Sequence, residues 1–368
     1  MYFCAKYRFF FPLWYRFQFF SRFPIVLFRQ ICYIQFNKYK GGNLVRKVII
    51  DTDLCSDDAA AVLLALTDKN TEVLAITTVC GGVPLAQAAK NALMTCEIAG
   101  RDVPVYLGAR KGLFREPFAT TAIHGADGMG DCGLIHPLTH AKEGVDACDA
   151  ILQLVRAHPH EIDLIALAPV TNIGLAILKD RDSMNMLRSI TVMGSAGFGP
   201  GNITPVAEAN VFADAESFEL LLSLDIPTDI LGFDLGIGDS AFSEEEFREL
   251  EASGVPSAVY VAKAGGKLLQ HNKKLKGKGI VDICDGVAMG CYLWPEIVLE
   301  KAPCSARVCC AGDFYGQVVF YTEQWRALME NVNLTFDFTK SRCNVFTKID
   351  AAKFKDKVKE ALTKGSSL

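Results

Sequence analysis

From Val48 onward the chain alternates short β-branched apolar runs with helix-forming stretches, and that alternation limits the possible folds more than any other feature. Residues 48–50 read as a buried strand, 59–66 as helix, 73–79 as strand and 85–99 as helix. The pattern continues with a strand at 103–107, a helix at 147–157, a strand at 162–168 and a helix start at 172–178. A strand at 189–193, a helix at 215–223 and a strand at 228–231 follow. Residues 243–252 begin with a serine N-cap and an acidic first turn, the mark of a helix start. Strands that alternate with helices at this spacing predict an α/β fold: a mostly parallel central sheet with helices on both faces and a Rossmann-like core. No linker interrupts residues 46–368, which read as one domain.

Residues 1–45 do not share the pattern. Residues 1–40 hold sixteen of the chain's 37 aromatic residues, and residues 1–47 carry nine Lys/Arg with no Asp or Glu. No apolar stretch there reaches the roughly 18 residues that span a bilayer. The segment reads as a basic, aromatic-rich extension, either disordered or a targeting or membrane-surface segment. Its charge also hides the character of the rest. The chain carries −4 overall, so the remainder carries −13. An acidic body argues against nucleic acid as a partner and suits a bound cation. Thirteen scattered cysteines without a CxxC pair read as free thiols in a reducing, cytoplasmic setting, and they argue against a metal centre built on cysteine alone.

In parallel sheets, ligands sit beyond the carboxyl ends of the strands. This directs attention to loops 51–58, 80–84, 124–131, 167–172, 194–210 and 280–286. The first is the most telling. The strand at 48–50 runs straight into Asp51, Asp53, Asp57 and Asp58, four carboxylates in eight residues. Such a group repels itself unless something positive holds it, and a hard divalent cation takes oxygen ligands of this kind. A solvated helix N-terminus is the simpler alternative, because acidic first turns are common.

Other loops add polar groups. Asn202, Glu208 and Asn210 follow Gly197, Gly199 and Gly201 and suit hydrogen bonds to sugar hydroxyls. His124 stands in the glycine-rich stretch 124–130. Asp282 and Asp285 lead into an apolar helix at 287–293.

Together these blocks resemble the inosine–uridine preferring nucleoside hydrolase family of N-ribohydrolases, over roughly residues 47–340. Asp51-Thr52-Asp53, Asp57-Asp58-Ala59, the stretch 75–79 with 91–93, His124 to Gly130, Ala168 to Asn172, and Met193-Gly194 through Asn210 match its motifs in order and spacing. The resemblance implies hydrolysis of ribonucleosides to base and ribose. It implies Ca²⁺ held by Asp53, Asp58, the carbonyl of Leu167 and Asp285. Asp53 would deprotonate the attacking water, while Asp57, Asn202, Glu208 and Asn210 would grip the ribose, with His124 near its 5′ side or in a mobile active-site loop. It further implies a ribonucleoside as the partner, no membrane span, and a homodimer or homotetramer.

The chain departs from the family pattern at four points. Leu54-Cys55 replaces Pro-Gly, where cysteine is expected to fit the backbone path poorly. Gly82 replaces a ribose-binding Asn. Cys284 replaces the His that protonates the leaving base, and a thiol serves that role poorly at neutral pH. These motivate a competing reading, a homologue that binds calcium and nucleoside without turnover. A phosphatase of the haloacid-dehalogenase type also follows a strand with Asp-x-Asp, but leaves the Asp57-Asp58 pair and the 202–210 block without a role. His271 and the basic stretch 272–276 read as a solvated flexible loop, with a segment folded over the site as the alternative. Base preference is expected in loops 112–123 and 265–284.

Overall fold

The computed structural model describes residues 45–364, apart from 119 and 329–342. The expectations for the N-terminal extension, residues 1–44, lie outside the described residues.

The strands expected from the alternation form in place: β1 (Arg46–Thr52), β2 (Thr71–Thr78), β3 (Val105–Leu107), β4 (Ile162–Ala166), β5 (Ser189–Met193) and β6 (Thr228–Leu231). All pair in parallel, in the order β6-β5-β4-β1-β2-β3. A short antiparallel pair, β7 (Phe242–Ser243) and β8 (Ile280–Val281), stands apart from this sheet. Three later strands extend its far edge: β9 (Val298–Val308), β10 (Val318–Thr322) and β11 (Cys343–Ile349). Of these, β11 runs parallel to β6, β9 antiparallel to β11, and β10 antiparallel to β9.

Burial follows the pleat. Successive strand side chains point to opposite faces. Val48 and Ile50 of β1 therefore join one apolar core, and Ile49 between them joins the other. The first core is closed by the helices Ser56–Thr67, Leu85–Ile98, Pro256–Ala264, Cys284–Leu293 and Ala351–Thr363. The second is closed by Ala147–Ala157, Thr171–Lys179 and Ala215–Leu222. A sheet covered on both faces is what a parallel topology requires, because each crossover lays a helix on it.

The helix Ser56–Thr67 is almost wholly enclosed. Every residue from Asp58 to Leu66 is buried, and its apolar residues surround the axis instead of forming one stripe. Such a helix has no solvent face. Its first turn nevertheless carries two carboxylates, which places Asp58 at 1% exposure.

One expectation is corrected here. Residues 271–276 belong to the helix Gly266–Lys276 and not to a loop. Leu268 and Asn272 face inward while most of the lysines face out, and Gly277 ends the helix with φ +65°. The lysine content hid a helix whose buried contacts come from only two fully covered positions.

Candidate functional site

The loops beyond the strand carboxyl ends converge on one cavity of about 390 Å³. Its wall includes Asp53, Asp57, Asp58, His124, Leu167, Asn202, Glu208, Asn210 and Asp285. These residues, drawn from loops up to 232 positions apart in the chain, thus meet in one place.

The carboxylates are held individually. Asp58 Oδ1 accepts the Thr52 hydroxyl at 2.5 Å, and its Oδ2 accepts the backbone N–H of Cys55 at 3.0 Å. Asp53 Oδ2 accepts the backbone N–H of Gly82 at 2.5 Å. A side chain at Gly81 could not coexist with this approach, since its Cβ would lie 2.0 Å from Asp53 Oδ2. Asp285 sits in the first turn of Cys284–Leu293, 4% exposed, with its Oδ1 buried and without a hydrogen-bond partner.

One oxygen from each of Asp57, Asp58 and Asp285 lies within 4.8 Å of the others. Asp53, Asp58 and the sulfur of Cys55 satisfy the same condition, so Asp58 is common to both groups. Burial, then repulsion among neighbouring carboxylates, pushes Asp58 and Asp285 well above the usual carboxylate range. Burial likewise raises Asp53, against the pull of the Gly82 N–H. Anionic groups this close and this dry need a cation, and the orphaned Asp285 oxygen is a ready ligand. The residues present therefore fit a hard divalent ion.

Asp51, the remaining member of the sequence cluster, faces elsewhere. It accepts Thr77 Oγ1 at 2.6 Å and Asn172 Nδ2 at 2.8 Å, tying β1 to β2 and to the helix Thr171–Lys179. Burial pushes it up to about 7.

The opposite wall is built by residues 202–210. Glu208 caps the short helix Ala209–Ala213, accepting the backbone N–H of Asn210 at 2.9 Å and of Val211 at 3.3 Å. Burial lifts its carboxyl to about 7. Asn210 donates to the main-chain oxygens of Leu167 at 3.1 Å and Met193 at 3.3 Å. The carboxamide oxygen of Asn202 accepts the Ala209 N–H at 2.9 Å. His124 Nδ1 lies 2.8 Å from Ser56 Oγ and 3.9 Å from Asp57 Oδ1.

The departures from the family pattern are accommodated in an unexpected way. Cys55 takes an ordinary φ of −80°, so the expected misfit does not fall there. Leu54 carries it instead, with φ +44°, a region that L residues rarely occupy. Asn91 clamps that residue by donating to its carbonyl at 3.0 Å, and donates also to Asp127 O at 2.8 Å. A Cβ at Gly82 would lie 2.4 Å from Thr120 Oγ1 and 2.8 Å from Cys55 Sγ, so the space for a larger side chain is already taken. Cys284 is enclosed, and burial pushes its thiol well up.

Apolar groups that the motif reading did not single out complete the cavity. They are Phe118 and Ile123 from residues 112–123, Phe233 and Ile237 after β6, and Leu268 and Leu275 from Gly266–Lys276. The last helix also brings His271 to the wall. Phe118, Ile123, Leu268 and Leu275 fall in the two loops set aside for base preference, while Phe233 and Ile237 carried no signal in the sequence.

The model of the family described as inosine-uridine preferring nucleoside hydrolase matches residues 48–356. An uncharacterized protein of Schizosaccharomyces pombe is 39% identical over 191 residues, 51% of this chain and 61% of that protein. Uridine nucleosidase 1 of Arabidopsis thaliana is 36% identical over 51% of this chain and 56% of its own length. The matched stretches thus span under two thirds of the length of these curated relatives. Among solved structures, a plant nucleoside hydrolase, PpNRh1, superposes with a TM-score of 0.80 at 27% identity, over 87% of this chain and 99% of that one.

Proposed function

This chain belongs to the inosine-uridine preferring nucleoside hydrolase family and has its α/β fold, and we propose that it hydrolyses the N-glycosidic bond of ribonucleosides to free base and ribose. The observation that carries the reading is the Asp58 carboxylate, which lies within 4.8 Å of an Asp53 oxygen and of an Asp285 oxygen, with one buried Asp285 oxygen left unpaired, in a cavity that Glu208 and Asn210 also line.

In this reading Asp53, Asp58, Asp285 and the main-chain oxygen of Leu167 hold Ca²⁺. The ion supplies two things when bound, an anchor for the ribose 2′- and 3′-hydroxyls and a lowered pKa for the attacking water. Asp53 takes the proton from that water as general base. Asp57, Asn202, Glu208 and Asn210 hold the ribose by hydrogen bonds, and His124 borders the cavity on the sugar's 5′ side. As the bond to the base breaks, the sugar gains oxocarbenium character. The surrounding carboxylates favour that positive charge over the neutral ground state, which is the differential binding catalysis needs. Leu268, Leu275, Phe233 and Ile237 offer an apolar surface for the base.

The name of the Arabidopsis relative makes uridine the first substrate to try. Eleven free cysteines among the described residues fit a cytoplasmic setting. Among the same residues no helix is long and apolar enough to cross a membrane. A dimer or tetramer is part of the reading and is checked by light scattering.

The test is ribose release by the full chain with calcium, from uridine, cytidine and inosine in turn. Release is expected with at least one of them. Asp53→Asn should cut turnover by about 10²-fold or more with the fold intact. Bound calcium without release from any nucleoside supports the non-hydrolytic alternative.

A further inference from the structure

The thiol of Cys55 lies in the carboxylate cluster. Its sulfur, one oxygen of Asp53 and one oxygen of Asp58 are all within 4.8 Å of one another, and all three residues are buried. Donors that share one ion, each at about 2.0–2.3 Å from it, must lie within about 4.6 Å of one another. The spacing is therefore close to that of a single coordination sphere.

Two further observations point the same way. Asp285 Oδ1 is buried, unpartnered and on the same cavity wall, so the cluster already lacks a positive partner. The sulfur's place is also tightly fixed. The strained Leu54 turn before it is clamped by Asn91, the Cys55 N–H is bound to Asp58, and Gly82 leaves the space that the sulfur occupies.

We infer that Cys55 Sγ is an additional metal-ligating atom, which makes this a mixed oxygen–sulfur centre that accepts thiophilic divalent cations such as Zn²⁺ or Cd²⁺ as well as hard ones. Carboxylate and carbonyl oxygens alone favour Ca²⁺ and Mg²⁺, while a thiolate favours the softer ions. One sulfur among oxygens does not make a cysteine cluster, which the sequence spacing argues against. Binding replaces the S–H bond with an S–metal bond, and the proton passes to solvent. The inference rests on the proposed metal site but concerns which ions enter it.

The experiment uses the full chain stripped with chelator and titrated with Cd²⁺ alone, Zn²⁺ alone and Ca²⁺ alone. Cadmium–thiolate bonds give an ultraviolet charge-transfer band, read against three variants. Cys55→Ser exchanges sulfur for oxygen at a position where serine is a favoured helix N-cap, so the fold is kept. Cys55→Gly serves as a second variant, and Asp58→Asn removes the shared carboxylate. Circular dichroism checks each fold.

The wild type should show a band component that both Cys55→Ser and Asp58→Asn lose. This component separates the site from the chain's other thiols. Cys55→Ser should weaken Cd²⁺ and Zn²⁺ by about tenfold or more and Ca²⁺ by no more than about twofold. If Cys55→Ser leaves the Cd²⁺ band and affinity unchanged while Asp58→Asn loses Ca²⁺, the thiol assignment is overturned and the calcium site stands. If no cation binds the wild type, both are overturned.

Discussion

Asn210 donates its side-chain amide to the main-chain oxygen of Leu167, 3.1 Å away, and so joins the two halves of the site. Leu167 follows β4 and is tied to β1, its N–H bonding Asp51 O at 2.8 Å. Asn210 begins beyond β5 in the short helix capped by Glu208. One side chain thus sets the distance between the carboxylate cluster on β1 and the polar wall at 202–210. A carbonyl has two lone pairs, so this bond leaves Leu167 O able to serve a cation as well.

Asp58→Ala should lose the bound divalent ion, because Asp58 is common to both groups of ligand atoms. Metal analysis of the purified variant should find less calcium than in the wild type. Chelation of the wild type should abolish ribose release, and added calcium should restore it. A variant that keeps its full metal content would remove Asp58 from the ligand set.

Glu208 makes metal-free stability depend on pH. Its carboxyl is lifted by burial from 4.5 to about 7. Between those values the folded state binds more protons than the unfolded one, so stability falls as pH rises. Its stabilising share is fully present below about pH 4.5 and is lost as pH climbs through 7. A shift of that size corresponds to about 3 kcal/mol. Denaturation of the metal-free protein between pH 5 and 8 should show the decline, and Glu208→Gln should make it shallower, with Asp51, also lifted to about 7, keeping part of the slope. An identical slope in the variant would assign the effect to other groups.

Asn91→Ala should destabilise the chain by about 2 kcal/mol. Asn91 is fully buried, and its amide serves the carbonyls of both Leu54 and Asp127. Without it, both lose a partner and Leu54 loses the clamp on its positive φ. Chemical denaturation reads the change, and a shift below about 0.5 kcal/mol would mean the turn holds itself.

Lys276→Ala tests the helix that the lysine-rich sequence concealed. Lys276 Nζ lies 2.8 Å from Asp282 Oδ2, which Asn272 also reaches at 3.2 Å. Asp282 is 7% exposed and its Oδ1 has no partner. Removing the lysine leaves a nearly buried carboxylate with a single amide, a cost of about 1–3 kcal/mol. Thermal melting should show a lowered midpoint. No change would make Lys276 a surface charge without structural weight.

Much of the framework was legible. Val48, Ile49 and Ile50 are apolar without alternation, which marks a strand covered on both faces, and the structure divides them between two cores. Asp53, Asp57 and Asp58 stood out because like charges in one short segment need an explanation. The antiparallel strands β9, β10 and β11 were not read, since residues 298–308 mix charged and apolar side chains without a clear apolar run. The helix Gly266–Lys276 was mistaken for a loop because solvent covers most of it. Strain was expected at Cys55 and falls on Leu54, a choice made by the contacts of Asn91 and not by the preference of either residue.

Local chemistry by itself determined the alternating elements and the acidic turn after the first strand, because each depends on neighbours a few positions away. Only the tertiary structure decided that Asp285 reaches Asp58, that Asp51 turns aside to Thr77 and Asn172, and that a cysteine sulfur joins the carboxylates. Those outcomes depend on how distant helices pack on the sheet, and such packing is set by the summed burial of the two cores and not by any one segment.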